Sequence, residues 1–199
     1  AVPGQARAGA GAVLERGAGP QSIVTRNWQW AEGELGVFEG SRIADSEFRY
    51  LDAGAYGAVF VNTSTMRIRK VAYKKLDASD DHARNVFQSE LDALKIAERS
   101  EVLRSLIAAP ITELRGARVL DRDGKDITSM FYSDLGYEAA FVPGQFVKIG
   151  TVTGDEQDRV RALFRAEGIY HTIDASVVLE GGNITRIIDF AVREVELLW

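Results

Sequence analysis

The strongest helix in this chain carries a carboxylate within its apolar stripe. Ser79–Ser100 reads as one helix. Ser79 is a suitable N-cap, Asp80 and Asp81 suit the positive N-terminal end, and Ala83, Val86, Phe87, Leu94 and Ala97 recur at the helical period. Glu90 stands four residues after Val86, three after Phe87 and four before Leu94, so it shares the face that must be buried. An unpaired carboxylate against a core is costly. Either another element brings a cation to Glu90, or the side chain reaches the edge of the stripe and meets water; the cost of burying the charge alone favours the cation.

The segments around this helix are strands. Phe48–Asp52, Ala58–Asn62 and Arg67–Leu76 are β-prone, with a Gly-containing turn over 53–57 and the Asn62-Thr63-Ser64-Thr65 cluster as the second turn. A short apolar helix is expected over Val102–Ala108. Arg118–Leu120 and Ile127–Tyr132 flank an Asp-Gly turn, and Tyr137–Val142 is a strand stopped by Pro143-Gly144. Thr153 and Glu156 have capping-box spacing, and the helix they open carries Val160, Leu163 and Phe164. Ser176–Leu179 and Ile184–Ile188 close the chain as strands around Gly181-Gly182-Asn183. Strands, helix, strands, helix and hairpin make an α+β order, not an alternating doubly wound sheet.

Composition removes several classes of function. A net charge of −5 makes a nucleic-acid backbone a poor partner. The chain has no cysteine and only His82 and His171, which excludes disulfide scaffolds, thiol catalysis and multi-histidine metal sites. No apolar run is long enough for a membrane span. Residues 1–20 contain six Ala and five Gly, little to bury, and no secretory signal pattern, so a flexible leader is expected. Residues 21–45, with Trp28, Trp30, Val37 and Phe38, could pack on the main body.

The chemistry-bearing motifs lie at the strand ends. Asp52-Ala-Gly54-Ala55-Tyr56-Gly57-Ala-Val59 matches G-x-G-x-x-G-x-V except at the first glycine. Glycines three apart also make an ordinary hairpin turn, yet exposed N–H groups there can cradle phosphate. Val71-Ala72-Tyr73-Lys74 follows, spaced so that antiparallel strands bring an ammonium beneath the glycine turn; Lys74 is then the natural partner of Glu90. Lys70 and Lys75 read as surface lysines. Asp189 follows the apolar Ile187-Ile188 and precedes Phe190, and His171-Thr-Ile-Asp174 lies just beyond a helix ending at Gly168.

Together these motifs resemble a minimal protein kinase from about Phe48 to the C-terminus. The resemblance implies a small two-lobed kinase-like fold. Its N-lobe spans about 46–143 and its strongly truncated C-lobe about 144–199, behind a leader and extension over 1–45. It implies ATP and magnesium as cofactors, with Gly54, Ala55, Tyr56, Gly57 and Val59 around the nucleotide. Lys74 would hold the α and β phosphates, Glu90 would fix Lys74, Asp189 would bind magnesium, and Asp174 would orient a Ser or Thr hydroxyl and accept its proton. The equivalent of His171 is structural in kinases. Because the chain stops at Trp199, soon after Asp189, it is most similar to the small bacterial type III effector kinases of the OspG, NleH and HopBF families, HopBF above all. That resemblance implies secretion into the host cytoplasm and action on a host protein, the ninety-kilodalton heat-shock chaperone in the HopBF case.

Three departures bear on activity. The catalytic loop is one residue longer than His-x-Asp. Leu179 stands where the family places a second metal-binding Asn, with Ser176 the nearest polar substitute and Asn183 in the next turn. Asp-Phe-Ala replaces Asp-Phe-Gly, reducing backbone freedom after Asp189. An inactive kinase-like module that recruits a host protein, and an AMP transferase on the same fold, are therefore the competing readings.

Overall fold

The computed structural model describes residues 38–75 and 77–195. The expected leader, including Trp28 and Trp30, lies outside the described residues. Within them runs a seven-stranded antiparallel sheet in the order β5-β7-β4-β3-β2-β1-β6. Its strands are β1 (Arg42–Ile43), β2 (Arg49–Ala53), β3 (Gly57–Asn62), β4 (Arg67–Tyr73), β5 (Thr112–Leu114), β6 (Val119–Leu120) and β7 (Phe131–Ala140). A second, three-stranded sheet follows the order β10-β9-β8, from β8 (Phe146–Lys148), β9 (Ser176–Glu180) and β10 (Asn183–Ile188). Helix α1 (Asp80–Arg99) lies between the strands of the first sheet in sequence, and α2 (Gly154–Ala166) precedes β9. The arrangement is α+β, as the element order implies. Among the described residues no helix is long and apolar enough to cross a membrane.

The first sheet curls because its two faces bury different cores. On one side Phe38, Phe48, Phe60, Val71, Tyr73, Val119 and Phe131 pack together, joining β6 at one edge to β7 near the other. On the opposite side Ala72, Tyr137 and Ala139 meet Phe87, Leu91 and Leu94 of α1. That core continues into Val160 and Phe164 of α2 and Val177, Ile184 and Ile187 of the second sheet. Phe38 is buried, with its ring 5.3 Å from Tyr73 and 5.2 Å from Phe131, and Ser41 and Ile43 are buried beside it. Residues 38–43 of the N-terminal extension thus pack on the main body.

Local signals account for most boundaries. Ser79 caps α1 by accepting a hydrogen bond from the His82 N–H at 3.2 Å. The Asn62 side chain accepts from the N–H groups of Ser64 and Thr65, which closes the β3–β4 hairpin and pairs Asn62 with Arg67 and Gly57 with Ala72. Three expectations change. Val102–Ala108 contains only a 3-10 turn over Arg104–Leu106. The Asp-Gly turn closes as expected, with Leu120 bridged to Asp126 and the Ile127 N–H bonded to the Val119 carbonyl, but a 3-10 segment follows it over Thr128–Met130 and the sheet partner of β6 is β1. The capping box at Thr153 does not form: Thr153 makes no side-chain cap bond.

Glu156 is recruited elsewhere, which explains the missing box. Its carboxylate accepts hydrogen bonds from the Ile184 N–H at 2.7 Å and from Arg159 at 2.6 and 2.8 Å. It thereby satisfies a backbone donor of β10 and ties α2 to the second sheet. The Arg159 guanidinium, followed by the Ile184 N–H, holds its acid strength high, with the pKa lowered to about 2. A depressed carboxyl pKa contributes stability that is present above the unfolded value and lost as pH falls toward the folded one. Glu156→Gln is therefore expected to cost about 1.5–3 kcal/mol at neutral pH. The gap between the two melting curves should narrow as pH falls from about 5 to about 2. Thermal melts across that range check this; a gap that stays constant would remove the charge from the account.

Candidate functional site

Lys70, on β4, supplies the cation for Glu90. Its Nζ lies 2.6 and 2.8 Å from the two Glu90 carboxylate oxygens, and the Tyr137 hydroxyl donates to the nearer oxygen at 2.9 Å. The Lys70 side chain is only 6% exposed and that of Glu90 18%. The inward position read for Glu90 is thus correct, but the partner assigned to it is not. Lys74 is exposed, with its Nζ 5.7 Å from the centre of the Tyr132 ring.

The correction follows from hairpin register. With Asn62 opposite Arg67, Lys70 falls opposite Val59 and, on its other side, opposite Tyr137. Lys70 and Ala72 then share the face that meets α1, while Val71 and Tyr73 turn into the other core. β4 ends at Tyr73. Lys74 lies beyond the ladder, where its N–H bonds the Met130 carbonyl and the chain leaves toward α1. Counting back from the Asn62 turn would have found Lys70.

Gly57 is required because Lys70 runs beneath it. A Cβ at Gly57 would stand 2.6 Å from Lys70 Cε and 3.0 Å from both Lys70 Cγ and Phe87 Cε2. The ammonium end is anchored to Glu90, so the lysine stem has little room to yield. The turn itself is tight, with the Gly54 N–H bonding the Gly57 carbonyl at 2.7 Å. The Tyr73 hydroxyl reaches the carbonyls of Gly54 and Ala55 at 2.9 and 3.1 Å. Trans peptide geometry then points the Ala55 and Tyr56 N–H groups away from Tyr73. Tyr56 is latched to α1 by a 3.1 Å hydrogen bond between its hydroxyl and His82 Nε2. Burial, with Asp77 second, raises the Tyr56 pKa.

Two connected clefts share Lys70, Glu90 and Asp189. The first is apolar: Leu51, Val59, Ile68, Ala139, Phe141 and Val142 wall it, with Asp52 at its edge. The second is polar and is lined by Ala55, Tyr56, Lys148, His171, Asp174 and Asp189. Asp189 follows β10 with φ of 65°, a left-handed conformation that Asp tolerates better than most residues. Its neighbours hold it there. Ile187 and Phe190 are buried, and the Phe190 ring meets Phe164 edge-on at 4.9 Å. Ala191 exchanges both backbone hydrogen bonds with His171.

The second loop has a defined shape as well. His171 Nε2 lies 3.7 Å from Asp174 Oδ2, and the Asp174 side chain is 78% exposed. Lys148 Nζ donates to the Asp174 carbonyl at 2.8 Å. Tyr170 and Ile173 flank this loop with exposed apolar side chains. The structure thus gathers Ala55, Tyr56, Glu90, Asp174 and Asp189 at the clefts, with Val59 in the apolar wall, Gly57 over Lys70 and Gly54 closing the turn. It leaves out Lys74, and also Ser176. Ser176 is 1% exposed, lines neither cleft, and its hydroxyl has no hydrogen-bond partner. Its strand turns it inward, opposite Ile188. Lys70, Tyr137 and Lys148 are the site residues that sequence reasoning missed.

A magnesium ion fits this donor set at Asp189. Magnesium takes one or two carboxylates and completes its shell with water and phosphate oxygens, so a dedicated protein cage is not needed. Asp189 and Asp174 are the carboxylates facing the polar cleft besides the lysine-bound Glu90.

Removing one partner of the buried pair should separate Lys70 from Lys74. Lys70→Met is expected to destabilise the fold by about 3 kcal/mol, because Glu90 loses its counter-charge. Lys74→Met should stay within about 0.5 kcal/mol of wild type. Combining Lys70→Met with Glu90→Leu should cost less than the two single changes added together. Denaturant unfolding of this set is the check, and equal losses at the two lysines would contradict the pairing.

No protein-family model, no curated protein and no solved structure matches this chain.

Proposed function

We propose that this chain is a small two-lobed protein-kinase-like enzyme that transfers the terminal phosphate of ATP to a Ser or Thr hydroxyl with magnesium. The observation that carries the reading is the buried Lys70–Glu90 pair facing Asp189 across a cleft beneath the Gly54–Gly57 turn. An ammonium held by a carboxylate has a fixed position in the cleft. The apolar cleft beyond it suits a flat base, as small-molecule pockets are mostly apolar with a few placed polar groups. The Ala55 and Tyr56 N–H groups are available donors for phosphate oxygens.

The roles follow from position. The first sheet with α1 forms one lobe, and the second sheet with α2 an abbreviated second lobe. Lys70 binds phosphate oxygens of the nucleotide, Glu90 and Tyr137 hold Lys70, and Asp189, with Asp174 nearby, receives the metal. Bound magnesium supplies charge neutralisation across the phosphates. Asp174, exposed at the cleft mouth, orients the acceptor hydroxyl and takes its proton; His171 holds the loop by its backbone bridge to Ala191. The small bacterial effector kinases are the family whose motifs the sequence resembles, and the reading carries that resemblance over. A host protein, the ninety-kilodalton chaperone foremost, is the corresponding substrate and the host cytoplasm the corresponding location. Burial of Ser176 and exposure of Leu179 favour a second reading, a nucleotide-binding module without turnover, because neither offers a second metal ligand.

ATP with magnesium at about a hundred times its Kd should stabilise the fold by about 2.7 kcal/mol by mass action. Asp189→Ala should remove the magnesium-dependent part of that shift. With γ-labelled ATP and a host-cell lysate, label should enter protein; α-label entering instead would mean AMP transfer. A thermal shift with no transfer of either label supports the module without turnover, and no shift at all refutes nucleotide binding. Asp174→Ala should keep ATP affinity and lose about 10²–10⁴-fold in turnover. Retention of near wild-type transfer would remove Asp174 from the chemistry.

A further inference from the structure

We propose that Lys148 is the residue that grips the transferable phosphate, a step that rests on the nucleotide reading above. The polar cleft is short of positive charge. Lys70 is neutralised by both oxygens of Glu90, and Asp174 and Asp189 add two negative charges. A polyphosphate entering such a cleft meets repulsion that magnesium at Asp189 and any further cation on the protein would reduce. The segment from His171 to Glu180 contains no Lys or Arg. Among the described residues lining the polar cleft, Lys148 is the lysine without a carboxylate partner.

Its geometry suits the task. Lys148 ends β8, opposite Ser176 of β9, and its Nζ bonds the Asp174 carbonyl at 2.8 Å. A neutral carbonyl uses one of the three ammonium donors and leaves the charge uncompensated. The same bond fixes the ammonium next to the carboxylate that meets the acceptor hydroxyl. In the transfer, the hydroxyl oxygen bonds to the terminal phosphorus as the bond to the bridging oxygen breaks. The hydroxyl proton passes to Asp174, and ADP leaves with the electron pair. Lys148 stands where it can hold the terminal phosphate oxygens through that displacement, ahead of any contact with the two phosphates that remain on ADP.

Discrimination between ATP and ADP tests this. Calorimetric titration of wild type, Lys148→Gln and Lys148→Arg with ATP and with ADP, at fixed magnesium, gives the dissociation constants. Lys148→Gln should raise the Kd for ATP about tenfold, the scale of one charge-assisted hydrogen bond, while ADP binding holds. Lys148→Arg should recover most of the ATP affinity. A purely structural lysine, holding the Asp174 loop, would lower the melting temperature of the free protein and weaken both nucleotides alike. That result, or unchanged ATP binding in Lys148→Gln, overturns the proposal. Wild-type protein that binds neither nucleotide would sink the nucleotide reading itself, and this inference with it.

Discussion

The Lys70–Glu90 pair sets the geometry of everything around it. A charge pair with side chains 6% and 18% exposed is affordable only if both ions are satisfied, and here the carboxylate has three short contacts from two donors. Satisfying it fixes the rotation of α1, because Glu90 must face β4. It also fixes the β4–β7 register, because Tyr137 must lie opposite Lys70. The glycine turn responds to the same constraint, since the lysine stem occupies the space a Cβ at Gly57 would need. Helix, sheet and turn are thus coupled through one interaction of two side chains.

Much of this was legible in the chain. The inward position of Glu90, the Ser79 cap, the Asn62 turn and the strand leading into Asp189 each follow from periodicity or turn chemistry, and the structure contains all four. The partner of Glu90 was misread because a four-residue motif over Val71–Lys74 outweighed strand register. Two lysines of the same parity could face α1, and only the hairpin count tells which lies inside the ladder. Lys148 was invisible for a different reason. It is remote in sequence from Asp174, and a short strand pairing, β8 with β9, is what joins them. Glu156 shows the third kind of miss: local spacing offered a capping box, and a backbone donor of β10 with a neighbouring Arg was the better partner.

The electrostatics of the clefts separate by sheet. The first sheet and α1 contribute a cation already matched to an anion, with Asp52 as the further charge at the first cleft. The second sheet contributes Asp174 and Asp189 from loops pinned by the His171–Ala191 bridge and by Phe190 against Phe164. A left-handed Asp189 persists because buried groups on both sides hold it, which is the usual condition for local backbone strain to survive. On the nucleotide reading proposed above, the base would take the first cleft and the phosphates, with their counter-cation, the second.

That requirement also bears on the contrast between turnover and mere binding. A module that only held a nucleotide would gain from cations around the phosphates and would lose from two carboxylates facing them. Asp174 and Asp189 raise the cost of binding a polyanion, and on the nucleotide reading a metal ion between them and the phosphates, with Lys148, would offset it. Lys70 alone cannot offset it, because its charge is spent on Glu90. On the kinase reading, the acidic residues are the part of the site assigned to metal binding and proton acceptance. On the kinase reading, the exposed Asp174, beside the exposed Tyr170 and Ile173, marks where the acceptor would enter.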